Sequence, residues 1–258
     1  MYSTYISFIQ QINSLDLSEI NFKSNAKYND ILEHVSFKLG QDYITLIENE
    51  FSYITYEILL QYVNMNDLYG KPKKETMRAY GRDIICSPTS VRYMYHALVI
   101  LHYYKSTPCR TMAEVGCGYG GLFLAICFLS KRLNIPIEKY HMIDLPEVGT
   151  LITNYLKLHT NDIHIPFSVH DANQHGSDVN SEDLFFISNY CFTEIDLHNR
   201  NEYMNKLVNR TTHGFITWQT IFDHVPIQNV QFCKPILKIM EERPQTASAQ
   251  YKNYFVFF

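Results

Sequence analysis

Between Thr111 and Ile126 the chain reads TMAEVGCGYGGLFLAI, a short apolar run, four glycines within six residues and a second apolar run. Glycine gathered where a strand gives way to a helix lets the backbone turn sharply or lets another group come very close. Gly116, Gly118 and Gly121 fit the GxGxxG spacing shared by several nucleotide-binding folds, and a plain tight turn satisfies the same spacing. Glu114, two residues before the first glycine, weighs the ligands by charge. An anionic pyrophosphate wants bare N–H groups and the positive end of a helix, so a carboxylate here disfavours it and favours a cation.

S-adenosylmethionine (SAM) carries an ammonium and a sulfonium and no phosphate, which tilts the reading from hydride transfer with NAD toward methyl transfer. Asp144 lies 28 residues after Gly116, at the expected end of the next strand, where an acidic residue can accept hydrogen bonds from both ribose hydroxyls. Capping a helix that starts near Pro146 is its other reading, and the two can coexist. Methyl transfer to oxygen is an in-line displacement that needs an aligned nucleophile and a base for its proton. The loop Ser188–Glu194 supplies Ser188, Asn189, Tyr190, Thr193 and Glu194 after an apolar run. Glu194 is the first candidate base, with a helix N-terminal carboxylate as its alternative. His224, beside Asp223, is the second. Trp218, the single tryptophan, and Gln219 could touch an acceptor ring, and core packing suits Trp218 equally. Arg92 could pair with the carboxylate of a methionine moiety or form a surface salt bridge.

These residues need elements to hold them. After Pro108 the sequence alternates short apolar runs with helical patterns, which predicts strands at 111–116, 139–144, 163–169, 183–189 and 214–219. Helices are expected at 121–133, 147–159, 198–210 and 229–242, and NYFVFF closes the chain as an aromatic strand. This is α/β texture, a mostly parallel sheet with helices on both faces. Residues 1 to about 105 read as helical, with 68–83 as a polar loop and a helix that starts at Ser87 (N-cap) and Pro88. A net charge of −4 without a basic stripe argues against a nucleic-acid partner. The six cysteines stand singly, without the spacing of a disulfide framework or a zinc site, which suits a reduced, cytoplasmic setting with no metal. No basic leader precedes an apolar core at the N-terminus, and the longest apolar run, Leu122–Leu129, is far too short to span a membrane.

EVGCGYG resembles motif I of the class I SAM-dependent methyltransferases, IDLPEV resembles the DLPxV of small-molecule O-methyltransferases, and DLFFISNYCFTEI is similar to a signature of the sugar O-methyltransferase family. SPTSVRYMYHALVIL resembles that family's lead-in helix, so the likeness covers most of residues 87–220. Cys191 and Thr193 stand where the family pattern has a small residue and a serine, and the first 80 residues lie outside the likeness. The resemblance implies a Rossmann-like methyltransferase domain over 87–258, with 1–86 as a helical cap serving the substrate or a homodimer contact. It places Glu114 near the cofactor's amino group and Gly116, Cys117 and Gly118 against its backbone-facing side. It places Asp144 and Leu145 at the ribose, Asp171 and Ala172 at the adenine, and Ser188 and Arg92 near the methionine end. Asn189, Tyr190, Trp218 and Gln219 fall to the acceptor. The implied reaction is methyl transfer from SAM to a hydroxyl of a sugar or sugar nucleotide, leaving S-adenosylhomocysteine (SAH). An amine, a phosphate-derived group or another small metabolite is the neighbouring alternative, and an NAD-dependent oxidoreductase the alternative from another class. A non-catalytic binding module is a third, against which the intact Glu114, Gly116, Gly118 and Asp144 argue.

Overall fold

A computed structural model describes residues 2–29, 31–222 and 232–258. The chain gathers into two compact units, each discontinuous in sequence. One comprises Met1–His102, Gly118–Asn134 and Thr150–His164, the other Tyr103–Cys117, Ile135–Gly149 and Ile165–Phe258.

The first unit holds α1 (Tyr2–Ile12), α2 (Ala26–Asn29), α3 (Phe37–Glu50) and α4 (Tyr56–Asn66). Hydroxyl caps start two of them: Ser36 accepts from the Leu39 amide and Thr55 from the Ile58 amide, each at 3.3 Å. The segment expected as a loop instead forms an antiparallel hairpin, β1 (Glu75–Ala79) and β2 (Arg82–Cys86). Its turn explains why: Tyr80 (φ 50°) and Gly81 (φ 72°) are both left-handed, the two-residue geometry that matches strand twist. Met77, Ala79, Ile84 and Cys86 turn inward while their strand neighbours face solvent. The helix expected from Ser87 is α5 (Pro88–Tyr104), with the Ser87 hydroxyl accepting from the Thr89 amide at 3.2 Å. Helix α6 (Gly121–Leu133) matches its expected bounds, and α7 (Pro146–Lys157) follows closely. Inside this unit the buried Lys23 ammonium donates to the Asn66 carbonyl (2.6 Å) and the Tyr155 hydroxyl (2.8 Å) and lies over the Tyr119 ring, 4.3 Å from its centroid. Burial lowers its pKa to about 8.

The second unit is built on a seven-stranded sheet of order β5-β4-β3-β6-β7-β9-β8. Its strands are β3 (Thr111–Val115), β4 (Lys139–Asp144), β5 (Phe167–Asp171), β6 (Leu184–Ser188), β7 (His213–Gln219), β8 (Lys238–Glu241) and β9 (Asn253–Phe257). Strands β5, β4, β3, β6 and β7 pair in parallel, and β9 runs antiparallel to both β7 and β8. This is the Rossmann-like α/β fold expected above. Central strands β3 and β6 are buried at every position; β6 reads as an apolar run, Leu184–Ile187, while β3 carries Glu114 among its apolar residues. Ala113, Val115, Phe186, Ile216, Trp218 and Val256 share one core cluster with Tyr203 of α8 (Leu197–Lys206). Two expectations shift. The strand expected at 163–169 forms at Phe167–Asp171, beyond Pro166, which cannot donate to a ladder. Of the helix expected at 229–242, residues 229–231 lie outside the described residues, and Lys238–Glu241 is a strand because it pairs with β9.

Candidate functional site

In the sheet unit the chemistry-bearing residues collect where β3, β4 and β6 end. β3 closes on Glu114 and Val115, and the chain turns at Gly116, whose φ of 82° is left-handed. A Cβ on Gly116 would stand 2.4 Å from both Cβ and Sγ of Cys191, so the missing side chain also makes room for the loop after β6. The Gly116 amide donates to the Ile143 carbonyl at 3.0 Å, which carries the β3–β4 ladder into the turn.

Glu114 is 1% exposed. Its Oε2 accepts from the Tyr140 hydroxyl at 2.9 Å. Burial pushes its carboxyl up to about 8, aided by the Asp144 charge and opposed by the Tyr140 bond. A carboxyl so placed ionises readily only when a positive charge arrives. Asp144 ends β4 with both oxygens engaged: Oδ2 accepts from the Cys117 amide at 2.7 Å and Oδ1 from the Leu145 amide at 2.8 Å. Burial raises the Cys117 thiol far above its ordinary value, so it packs as a small apolar group, its S–H toward the Glu114 carbonyl at 3.3 Å.

Asp171 ends β5 and accepts from the Asn173 amide at 2.9 Å, capping a single 3₁₀ turn. Ala172 is half-buried, its carbonyl accepting from the Tyr203 hydroxyl at 3.2 Å. Ser188 is fully buried at the end of β6 and donates to the Val115 carbonyl at 2.9 Å, a cross-strand tie. The loop beyond it is polar and bonded to the end of β7. Thr217 donates to Asn189 Oδ1 at 2.5 Å, Thr193 to Gln219 Oε1 at 3.2 Å, and Gln219 Nε2 reaches Glu194 Oε1 at 3.5 Å. Glu194 itself is exposed. Tyr190 holds a left-handed backbone (φ 57°), and its hydroxyl donates to Glu242. Trp218 is buried in the core cluster, and its indole N–H finds no hydrogen-bond partner among the described residues. Candidate base His224 and its neighbour Asp223 lie outside the described residues.

From Gly118 onward the turn belongs to the first unit. Gly118 (φ 57°) is left-handed, and a Cβ there would sit 3.1 Å from Leu32 Cδ1. Arg92 is buried on α5, its guanidinium 5.7 Å from the Tyr93 ring centroid. Glu33 accepts from the Ser87 hydroxyl at 3.3 Å and hydrogen-bonds Tyr119; burial holds its carboxyl above the usual range.

Sequence reasoning missed Tyr140, Cys191 in its role beside Gly116, Glu242 and Leu32. Tyr140 carried a usable signal, an aromatic hydroxyl on the strand after the glycine turn. The others meet their partners only through loops, which no local pattern announces. Among the described residues no group of three or more His, Cys, Asp or Glu side chains is gathered to hold a metal, and no helix is long and apolar enough to cross a membrane.

No protein-family model matches the chain, and no curated protein does. Among solved structures it is similar to PigF with SAH, at TM-score 0.37 and 12% identity over 47% of this chain and 35% of that one. It is similar to magnesium protoporphyrin IX methyltransferase (ChlM) from Synechocystis PCC 6803 with bound SAM, at TM-score 0.43 and 9% identity over 65% of this chain and 79% of that one. Against TrmN from Thermus thermophilus the TM-score is 0.47 and the identity 14%, over 71% of this chain and 58% of that one. The chain thus spans about a third of the length of the first of these structures.

Proposed function

We propose that the chain is a SAM-dependent O-methyltransferase that transfers a methyl group to a hydroxyl of a sugar or sugar-like small molecule. The observation that carries the reading is Glu114. A carboxyl 1% exposed, two residues before a left-handed glycine turn at the carboxyl end of the central strand, is a receptor for a cation and a poor neighbour for a pyrophosphate. In this reading Glu114 faces the ammonium of SAM, Asp144 with Leu145 takes the ribose, and Asp171 with Ala172 the adenine. Gly116, Cys117 and Gly118 give the cofactor close backbone approach, with Ser188 and Arg92 serving the methionine end. The domain runs over 87–258.

The acceptor belongs to the polar loop after β6. Asn189, Tyr190 and Gln219 hold one another's neighbours in place through Thr217, Glu242 and Thr193, so their polar ends are pre-oriented. Trp218 supports that loop from the core. Glu194, exposed at the loop's end, is the proposed base that takes the acceptor's proton as the new C–O bond forms and the sulfonium charge is lost. His224 is the second proposed base. The sugar acceptor rests on the DLFFISNYCFTEI and SPTSVRYMYHALVIL resemblances.

Calorimetric titration with SAH, with NAD run in parallel, tests the cofactor. Micromolar binding of SAH alone is expected, and binding of NAD alone would overturn the charge argument. Once an acceptor is found, Glu194→Gln should lower turnover at least ~100-fold with SAH affinity nearly unchanged.

A further inference from the structure

At the β4–β5 edge of the sheet stands a chain of five polar side chains that methyl transfer leaves unused. Ser168 and His170 lie two residues apart on β5, on one face of the strand, and His141 is the register partner of Ser168 on β4. Ser168 Oγ is 2.8 Å from His170 Nε2 and 2.9 Å from His141 Nδ1, and those two ring nitrogens are 2.9 Å apart. His170 Nδ1 is 2.7 Å from Asp178 Oδ2, and His141 Nε2 is 2.8 Å from Ser181 Oγ.

Counting hydrogens gives the chain a direction. An ionised Asp178 only accepts, so His170 carries its hydrogen on Nδ1 and presents Nε2 as a bare acceptor. His141 is 1% exposed, and burial together with His170 lowers its pKa to about 4, so it is neutral. With the Ser181 hydroxyl donating to its Nε2, His141 holds its hydrogen on Nδ1, toward Ser168 Oγ. The Ser168 hydrogen is then directed at His170 Nε2. In that assignment each of the four hydrogens finds an acceptor, and the network runs Ser181, His141, Ser168, His170, Asp178.

Hydroxyl, imidazole and carboxylate in this order and at these distances are the arrangement that activates a serine. We propose that Ser168 is an activated nucleophile, with His170 as its base and Asp178 as the group that orients the base, and that it accepts acyl groups from small activated esters. In the step, Ser168 Oγ bonds to the ester carbonyl carbon while its proton passes to His170 Nε2. The ester C–O bond then breaks, and the departing alkoxide takes the proton from the imidazolium. A water then gives a proton to His170 as its oxygen bonds to the acyl carbon, the Oγ–C bond breaks to release the acid, and Oγ takes the proton back from the imidazolium. The His141 N–H, 2.9 Å from Oγ, holds the serine oxygen in place and leaves its hydrogen directed at His170 Nε2. Position permits access: β5 is an edge strand, Ser168 is partly exposed, and the His170 and Asp178 side chains are 11% and 44% exposed.

The test needs no knowledge of the methyl acceptor. The full chain is incubated with diisopropyl fluorophosphate, whose P–F bond breaks as the serine P–O bond forms, and the adduct is located by intact-mass and peptide mass spectrometry. One adduct, on Ser168, is expected, absent in Ser168→Ala. Its rate of formation should fall at least ~100-fold in Asp178→Asn, whose exposed position leaves the fold intact, and in His170→Gln. Turnover of p-nitrophenyl acetate should fall in step. No adduct on Ser168 in the folded wild-type chain would overturn the proposal. So would a labelling rate indifferent to Asp178→Asn and His170→Gln in variants with the wild-type circular dichroism spectrum.

Discussion

The peptide N–H of Cys117 donates to Asp144 Oδ2 over 2.7 Å, while the other oxygen of the same carboxylate accepts from Leu145. One side chain therefore fixes the turn after β3 to the end of β4 before any ligand arrives. Asp144→Asn keeps the shape but sets an amide NH₂ against one of two backbone donors. It should cost about 1–3 kcal/mol, the range for an unmet buried hydrogen bond, read from urea unfolding. SAH affinity should fall at least ~10-fold in the same variant, read by calorimetry.

Gly116 and Gly81 share a left-handed backbone but not their surroundings. A Cβ on Gly81 meets nothing within 4 Å, whereas one on Gly116 meets Cys191 at 2.4 Å. Gly81→Ala should cost about 1 kcal/mol, the strain of the backbone alone. Gly116→Ala should cost about 2–5 kcal/mol, because overpacking adds to that strain. Adding Cys191→Gly to Gly116→Ala should recover the packing share and leave the strain, a non-additivity that a double-mutant cycle measures.

Glu114 makes both stability and ligand binding depend on pH. Its folded pKa, about 8, lies above its ordinary 4.5, so the folded chain holds an extra proton between those values. The resulting stabilisation is present below 4.5 and is lost as pH rises toward 8. Glu114→Gln should remove that decline from a series of melting temperatures. If the ionised carboxylate receives the cofactor's ammonium, SAH affinity should rise by up to about 50-fold between pH 6 and pH 8, and Glu114→Gln should flatten the rise.

Histidines bend the curve the other way. Burial holds both His141 and His159 at about 4, below the ordinary 6.5, so the unfolded chain binds more protons than the folded one between these values. Stability should be complete above 6.5 and fall as the solution is acidified toward 4. His141→Gln should shallow the acid limb of the melting profile. An unchanged limb would count against a buried neutral His141.

Helix α6 was legible in the sequence because a buried helix anchored by a glycine turn leaves a continuous apolar trace, and β3 and β4 because short, largely apolar stretches stand on either side of it at the spacing of a β-α-β alternation. The hairpin at 75–86 left none, since β1 and β2 bury two residues each and the signal sits in the Tyr80–Gly81 turn. Glu114, the glycines and Asp144 were legible because they mark the strand ends and the turn of one β-α-β unit. What surrounds them was not. Cys191 lies 75 residues beyond Gly116, and Tyr140 reaches Glu114 only through the β3–β4 pairing. Asp178 and Ser181 likewise reach their histidines from a loop. Spacing reports which residues share an element, and topology alone reports which elements share a place.

The insertion of β9 between β7 and β8 has a consequence for biosynthesis. As the chain emerges from the ribosome, β3 to β7 can assemble while the outer side of β7 still waits for a partner made later than β8. Until Asn253–Phe257 slots in, the nascent sheet presents a raw aromatic flank, Phe215 among it, that invites association with other chains. Yield in the cell should therefore hinge on how fast those five residues find their slot, and shielding by a chaperone during that interval should raise it.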